Sequence, residues 1–169
     1  MTLKKSLGNA AERLNAIKAV FLDVDGVMTD GGLFYGEHGE SLKRFHVHDG
    51  QGIQSLREQG LVVGIISGRS HPAVHKRAQE LGIDPVFQGI SNKLQCLQDW
   101  AEKANLRLSQ IAFMGDDLAD LPVLEAVGFA AGVPNAISQV QKISHWISEK
   151  PGGQGAVRCL ADLFSGHAQ

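Results

Sequence analysis

Three apolar stretches of this chain each stop dead at a polar cluster, and that repeated pattern limits the possible folds more than anything else in the sequence. Ala19-Val20-Phe21-Leu22 ends at Asp23-Val24-Asp25, Leu61-Val62-Val63-Gly64-Ile65-Ile66 ends at Ser67-Gly68-Arg69, and Ile111-Ala112-Phe113-Met114 ends at Gly115-Asp116-Asp117. Unbroken rather than alternating hydrophobicity marks strands covered on both faces. Val127-Gly128-Phe129-Ala130 and His145-Trp146-Ile147 read as shorter strands of the same kind. Helices with readable ends lie between them. Ile53 and Leu56 open one that stops at Gly60; Pro72 sits in the first turn of a second that ends before Gly82; Ser91 is placed to cap a third carrying Leu94, Leu97, Ala101 and Ala104. The alternation predicts an α/β fold, a doubly wound parallel sheet with helices on both faces, and ligands bound beyond the carboxyl ends of the strands.

Gly31 to Val47 breaks the alternation. It holds two β-like pieces, Leu33-Phe34-Tyr35 and Leu42 to Phe45, around Glu37-His38-Gly39-Glu40, and predicts a β-hairpin projecting just after the acidic pair. With no repeat, low-complexity tract or linker, residues 1–169 are expected to form a single domain. Sixteen Lys and Arg against 18 Asp and Glu, scattered along the chain, give a net charge of −2 and no basic patch, which argues against a nucleic-acid partner. No apolar stretch is long enough to span a bilayer and Met1 to Lys18 lacks an apolar signal core, so no membrane association and a cytoplasmic location are expected. Cys96 and Cys159 are far apart and read as packing residues; His71 and His75 lie four apart without a third ligand and read as a solvated helix face.

The chemistry begins with Asp23 and Asp25. Residues two apart on a strand point the same way, so the two carboxylates can share one small site, and their repulsion must be offset by a cation, a proton or a ligand. A plain Asp-Gly turn would leave them exposed instead. Lys93 sharpens the choice, because a cation in the first turn of a helix opposes the macrodipole and so answers negative charge elsewhere. Asp120 has a bland alternative as the cap of a helix starting at Leu121-Pro122, whereas Asp116, directly after a buried strand, has none. Five carboxylates (Asp23, Asp25, Asp116, Asp117, Asp120) at one sheet edge call for a hard divalent cation, Mg²⁺ above all.

The motifs DVDGVMTDG (Asp23 to Gly31), ISGR (Ile66 to Arg69), Lys93 within GISNKL, and GDDLAD (Gly115 to Asp120) resemble, in order and spacing, the four signatures of haloacid dehalogenase-like phosphatases. FHVHDGQGI (Phe45 to Ile53) and GGQGAVR (Gly152 to Arg158) extend the resemblance to one capless branch, the 3-deoxy-D-manno-octulosonate 8-phosphate phosphatases. The resemblance implies a Mg²⁺-dependent phosphatase acting on a small phosphorylated sugar acid, with Asp23 as nucleophile, Asp25 as acid and base, and Ser67 and Lys93 on the phosphoryl oxygens. Asp23, the backbone carbonyl of Asp25 and Asp116 would hold the metal, with Asp117 and Asp120 in support. It further implies a homotetramer in which hairpins and C-terminal tails close neighbouring sites, an arrangement that the apolar Leu33, Phe34 and Tyr35 favour. Candidates for substrate contact are Asp25, His46, Val47, His48, Asp49, Gly50, Gly68, Arg69, Arg77, Lys93 and Arg158. The chain departs from the usual family pattern at Gln54, Ala119 and Gln154, which bears on the substrate and not on the reaction. Within the family the rival substrate is a nine-carbon keto-sugar acid 9-phosphate. Outside phosphatases, a phospho-receiver domain would place its acidic pair first and lack Asp25, and a non-catalytic phosphatase-like assembly module would have no reason to keep every catalytic side chain.

Overall fold

A computed structural model of the protein describes residues 12–166, so the reading of the segment before Glu12 lies outside the described residues. Six parallel strands form the main sheet: β1 (Ala19–Leu22), β4 (Val62–Ile66), β5 (Val86–Phe87), β6 (Ile111–Met114), β7 (Phe129–Gly132) and β8 (Trp146–Ile147), in the order β5-β4-β1-β6-β7-β8. Every residue of β1, β6 and β7 is buried, as their unbroken apolar sequences require. The sequence placed β7 two residues early. Gly128 instead packs against the Ser109 carbonyl, where a side chain would collide, and the ladder starts at Phe129.

From β1 the chain proceeds to β4 and β5 on one side, and from β6 to β7 and β8 on the other. Right-handed crossovers then divide the helices: α1 (Val47–Glu58) and α2 (Pro72–Leu81) cover one face, and α3 (Lys93–Lys103), α4 (Leu121–Ala126) and α5 (Ser138–Ile143) the other. The last helix, α6 (Ala156–Phe164), returns to lie along α1. The reversal of strand order falls between β1 and β6, the crevice where open α/β sheets bind ligands. Register completes the placement. Leu22 is level with both Ile65 and Met114, so Asp23 emerges beside Ile66 and Gly115, one residue short of Ser67 and Asp116.

Local chemistry accounts for the helix ends. Pro72 occupies the first turn of α2, the His71 ring accepts from the Ala73 N–H, and Gly82 ends the helix at φ 65°. For α3 the cap is Asn92, whose side chain accepts from the Gln95 N–H at 3.0 Å, in place of the expected Ser91. Helix α1 begins at Val47, well before Ile53. Gly50 and Gly52 obscure it in the sequence, since glycine is a poor helix former. They serve packing: a Cβ on Gly52 would stand 2.8 Å from the Arg158 Cα of α6, so only glycine lets the two helices approach this closely.

The hairpin is β2 (Phe34–Gly36) paired antiparallel with β3 (Gly39–Leu42), so the second arm lies three residues earlier than the expected Leu42 to Phe45 and takes in Gly39 and Glu40 of the expected turn. Beyond Leu42 the chain leaves the ladder and Lys43 turns inward. Between β1 and β4 the described residues form only this hairpin, α1 and the connecting turns, so no cap covers the sheet edge. Among the described residues no helix is long and apolar enough to cross a membrane.

Candidate active site

Asp23 follows β1 directly, and its N–H still donates to the Met114 carbonyl at 3.0 Å, which anchors its backbone to the sheet. Its side chain meets Lys93, the first residue of α3, with Nζ 2.8 Å from Asp23 Oδ1 and 2.6 Å from Asp120 Oδ1. All three residues are buried. Asp120 Oδ2 accepts the backbone N–H groups of Asp116 and Asp117 at 2.9 and 3.2 Å. Asp120 therefore stands at the head of α4 without capping it; both of its oxygens are occupied in fixing Lys93 and the loop after β6. Burial opposes the charge on Lys93, yet Asp23 and Asp120 outweigh it and the ammonium pKa rises. The conflict with the helix dipole is resolved as the sequence indicated, by negative charge at the strand ends.

Asp116 completes this group. Its Oδ1 is buried without a hydrogen-bond partner, and Gly26 must be glycine because a side chain there would occupy the Asp116 carboxylate. Burial, reinforced by the charge of Asp120, pushes Asp23 up to about 6; burial and then the charge of Asp23 push Asp116 up to about 8. One ammonium is thus set against three carboxylates whose oxygens lie within 4.8 Å of one another. Since Asp120 is fully engaged, Asp23 and Asp116 are the oxygen donors left for a cation, a set that fits Mg²⁺ and has no sulfur or imidazole to favour a softer metal. Asp117 is not part of the cluster, for its carboxylate accepts from the Leu118 N–H at 2.7 Å.

Asp25 points elsewhere. The chain makes a single wide turn over Val24–Met28, closed by the Thr29 N–H on the Val24 carbonyl, with Asp25 (ψ 116°) and Gly26 (φ 91°) outside helical geometry. This turns the Asp25 carboxylate towards the hairpin, where Lys43 Nζ lies 2.6 Å from Oδ1 and Arg69 Nε 3.7 Å from Oδ2. Glu40, on β3, binds both cations, 2.7 Å from Lys43 and 2.7 Å from Arg69. Ser67, buried at the end of β4, is held through its backbone by Phe87 and Ile90, and Gly68 and Arg69 follow it to the surface.

The remaining candidates divide. His46 caps α1 by accepting from the His48 N–H, and Val47 and His48 are exposed beside it. Asp49 is buried and accepts from the backbone N–H groups of Gly155 and Arg158, so it fastens α6 to α1, and burial raises its pKa. Gly50 faces Arg77, which binds Glu80 and reaches the His46 carbonyl. Arg158 pairs with Asp162 along α6. None of these joins the acidic cluster within the chain. Within the chain, Gly152 and Gly153 of the tail are buried on the turn that carries Asp25: the Gly153 N–H donates to the Val27 carbonyl at 2.9 Å, and a side chain on Gly152 would strike the Gly26 carbonyl. Asn135 joins the two segments, donating to the Gly26 carbonyl at 3.0 Å and accepting from the Gly152 N–H at 2.8 Å. Sequence reading missed Asn135, Lys43 and Glu40, and no sequence signal separates Lys43 from the neighbouring Arg44.

A buried nucleophile-type Asp at the switch point, a lysine from a later helix and an acidic loop after the next strand define a haloacid dehalogenase-like hydrolase, and the sequence profile of that description matches residues 86–160. The 3-deoxy-D-manno-octulosonate 8-phosphate phosphatase of Escherichia coli (strain K12) is 41% identical over 148 residues, 88% of this chain and 79% of that protein. Among solved structures, the phosphatase of the same name from Moraxella catarrhalis, in complex with magnesium ion, phosphate ion and KDO, is 40% identical with a TM-score of 0.90, covering 92% of this chain and 90% of that one. The cobalt-bound deoxy-D-mannose-octulosonate 8-phosphate phosphatase from Haemophilus influenzae is 37% identical with a TM-score of 0.88, covering 92% and 91%. The chain belongs to the 3-deoxy-D-manno-octulosonate 8-phosphate phosphatase family.

Proposed function

We propose that this protein is a Mg²⁺-dependent phosphomonoester hydrolase that cleaves 3-deoxy-D-manno-octulosonate 8-phosphate, as a cytoplasmic enzyme supplying a lipopolysaccharide sugar. The observation that carries the reading is the pairing of Lys93 with Asp23 and Asp120 beside the unpartnered Asp116, together with 41% identity to a phosphatase of that name. Asp23, Asp116 and the Asp25 carbonyl would hold Mg²⁺, whose charge would offset that of the phosphoryl oxygens and of the two acids.

The chain's own residues account for both half-reactions. An Asp23 oxygen attacks phosphorus, the bond from phosphorus to the sugar oxygen breaks, and Asp25 in its protonated form gives that oxygen its proton. Asp25, now ionised, takes a proton from water as the water oxygen attacks the aspartyl-phosphate; inorganic phosphate leaves and both carboxyl groups return to their starting states. Lys93 and the Ser67 hydroxyl stabilise the negative charge that shifts among the phosphoryl oxygens in each step. Residues 1–169 act as one catalytic domain. His46, Arg69, Arg77 and Arg158 are the candidates for contact with the sugar acid. Four chains closing one another's sites agree with a hairpin whose Phe34, Tyr35 and Leu42 are 45%, 66% and 64% exposed.

Phosphate release from the octulosonate 8-phosphate and from a nine-carbon keto-sugar acid 9-phosphate, each with and without Mg²⁺, tests the proposal. Metal-dependent turnover with a higher kcat/KM for the eight-carbon substrate is expected. Preference for the nine-carbon substrate would move the protein to the rival branch, and metal-independent turnover would overturn the mechanism.

A further inference from the structure

The acidic cluster uses one cation, Lys93, but the site contains a second charge network in which the reaction scheme gives Lys43 and Glu40 no task. Asp25 and Glu40 face Lys43 and Arg69, two acids against two bases, with Glu40 bridging both cations. Lys43 is unusual among them. Its side chain is only 1% exposed although it belongs to a projecting hairpin segment, and among the described residues its ammonium donates to the carboxylates of Asp25 and Glu40 and to no backbone group. Burying an ammonium is costly unless both geometry and pairing are good, so a lysine placed here has a structural consequence at the atom it touches. That atom is Asp25 Oδ1.

The turn carrying Asp25 does not orient its side chain unaided. Asp25 is in extended geometry between Val24 and the left-handed Gly26, and its carboxylate is held on the hairpin side, away from the group formed by Asp23, Asp116 and Lys93. Glu40 sits on β3 and its backbone carbonyl is within 3.3 Å of the His71 ring at the head of α2, so it is itself fixed to the body of the domain. Arg69 reaches Asp25 at the longer distance of 3.7 Å and is 45% exposed, which makes it the weaker of the two holds.

Building on the proposed phosphatase reaction, we propose that Lys43, anchored by Glu40, is the positioning residue that sets the placement of the Asp25 carboxyl group for proton exchange with the leaving sugar oxygen and with water. Lys43 does not touch phosphorus or the attacking Asp23 oxygen. Its loss therefore weakens the steps that need Asp25 and spares attack on phosphorus where the leaving group needs no proton. The hairpin becomes part of the catalytic apparatus of its own chain, in addition to any role between chains.

The test compares the parent with Lys43→Met, which keeps length without charge, and Lys43→Arg, which restores the cation. Two substrates are used: the octulosonate 8-phosphate, whose alkoxide leaving group needs a proton, and p-nitrophenyl phosphate, whose leaving group does not. With Lys43→Met, steady-state kcat on the sugar substrate is expected to fall by about 10- to 100-fold, the lower range of what general acid–base catalysis supplies, with KM within about 3-fold. The initial burst of p-nitrophenolate should remain close to the parent's, since forming the aspartyl-phosphate from a good leaving group needs no acid. Lys43→Arg should recover most of the lost rate. In an Asp25→Asn background Lys43→Met should cost no further rate. Equal losses of burst and sugar turnover, or no loss in either, would overturn the assignment. The parent's own rates keep the two proposals apart: an enzyme active on p-nitrophenyl phosphate but not on the sugar acid refutes the substrate, while the burst and the Asp25→Asn cycle still judge Lys43. Should Lys43→Met unfold, Glu40→Gln, which loosens the anchor but leaves the lysine, is expected to show the same split between burst and turnover, and equal losses in both would reject the idea.

Discussion

Asp23 and Asp120 are both carboxylates bonded to the same ammonium, yet their surroundings give them different work. Asp120 has no free oxygen, whereas Asp23 keeps one and stands at the end of β1 beside Asp116. Asp23→Asn should retain the fold and lose at least about 10⁴-fold in kcat, since an amide is a far poorer nucleophile and each tenfold corresponds to about 1.4 kcal/mol of barrier; circular dichroism with phosphate release checks both halves. Asp120→Ala should act on stability first. It leaves Lys93 with Asp23 as its one carboxylate partner and frees the part-buried N–H groups of Asp116 and Asp117; breaking a buried pair from one side costs about 3–5 kcal/mol, measurable by urea unfolding. The raised pKa values of Asp23, about 6, and Asp116, about 8, also carry a pH signature. Folding makes both groups hold protons more tightly than the unfolded chain does, so the unfolded state binds fewer protons above pH 4 and metal-free stability should decline as pH rises from about 4 to 8. Mg²⁺ competes with those protons. Its apparent affinity should therefore tighten over about pH 6 to 8, and thermal shift titrations at several pH values would show the metal-dependent gain growing with pH.

Element by element, legibility followed how local the controlling interaction was. The ends of β1, β4 and β6 were readable because burial on both faces leaves only apolar residues, and the polar clusters beyond them could lie nowhere but at one edge. The head of α3 was readable too, because Lys93 violates the dipole preference of its own helix. What escaped were positions fixed by partners distant in the chain. Glycines made the start of α1 look like a loop, whereas Gly52 is dictated by α6 more than a hundred residues later. Lys43 and Arg44 are adjacent cations in a polar hairpin arm, and which one turns inward depends on where the ladder of β2 and β3 ends. Asp49 and Arg158, assigned to substrate by resemblance, meet through the Arg158 backbone N–H, a contact that side-chain chemistry does not announce. The tail glycines yield the corresponding prediction. Gly152→Ala would force the tail away from the Gly26 carbonyl and strain the turn that carries Asp25; overpacking of this kind costs about 1–3 kcal/mol, so both the melting temperature and kcat should fall even if assembly is unchanged. A tail that served only a neighbouring subunit would leave the melting temperature of an isolated chain untouched.

At the scale of the whole molecule, the topology concentrates everything chemical at the crevice between β1 and β6 and leaves that edge without a cap. Leu33, Phe34, Tyr35, Leu42 and Val47 form the apolar surface next to it, exposed by 47%, 45%, 66%, 64% and 74%. Contact with further copies of the chain would cover it. Phe34→Glu should then lower the mass seen by light scattering and raise KM for the sugar acid, while Mg²⁺ affinity at the interior cluster stays as it was; a parent that is already monomeric and fully active at assay concentration would end the tetramer proposal.

The close seating of Gly152 and Gly153 on the turn after Asp25 has a further consequence for how the enzyme comes into being. Synthesis is vectorial, and Gly152 to Phe164 is made after every strand of the sheet. A nascent chain can already pair β1 with β4 and β6 while the segment that buttresses Gly26 and covers α1 is still inside the ribosome. Such a chain would hold Asp23 at the end of β1 while the turn bearing Asp25 still lacked its buttress. If Asp25 is the acid and base, activity depends on this late segment, so a chain truncated before Gly152 would not begin consuming metabolite.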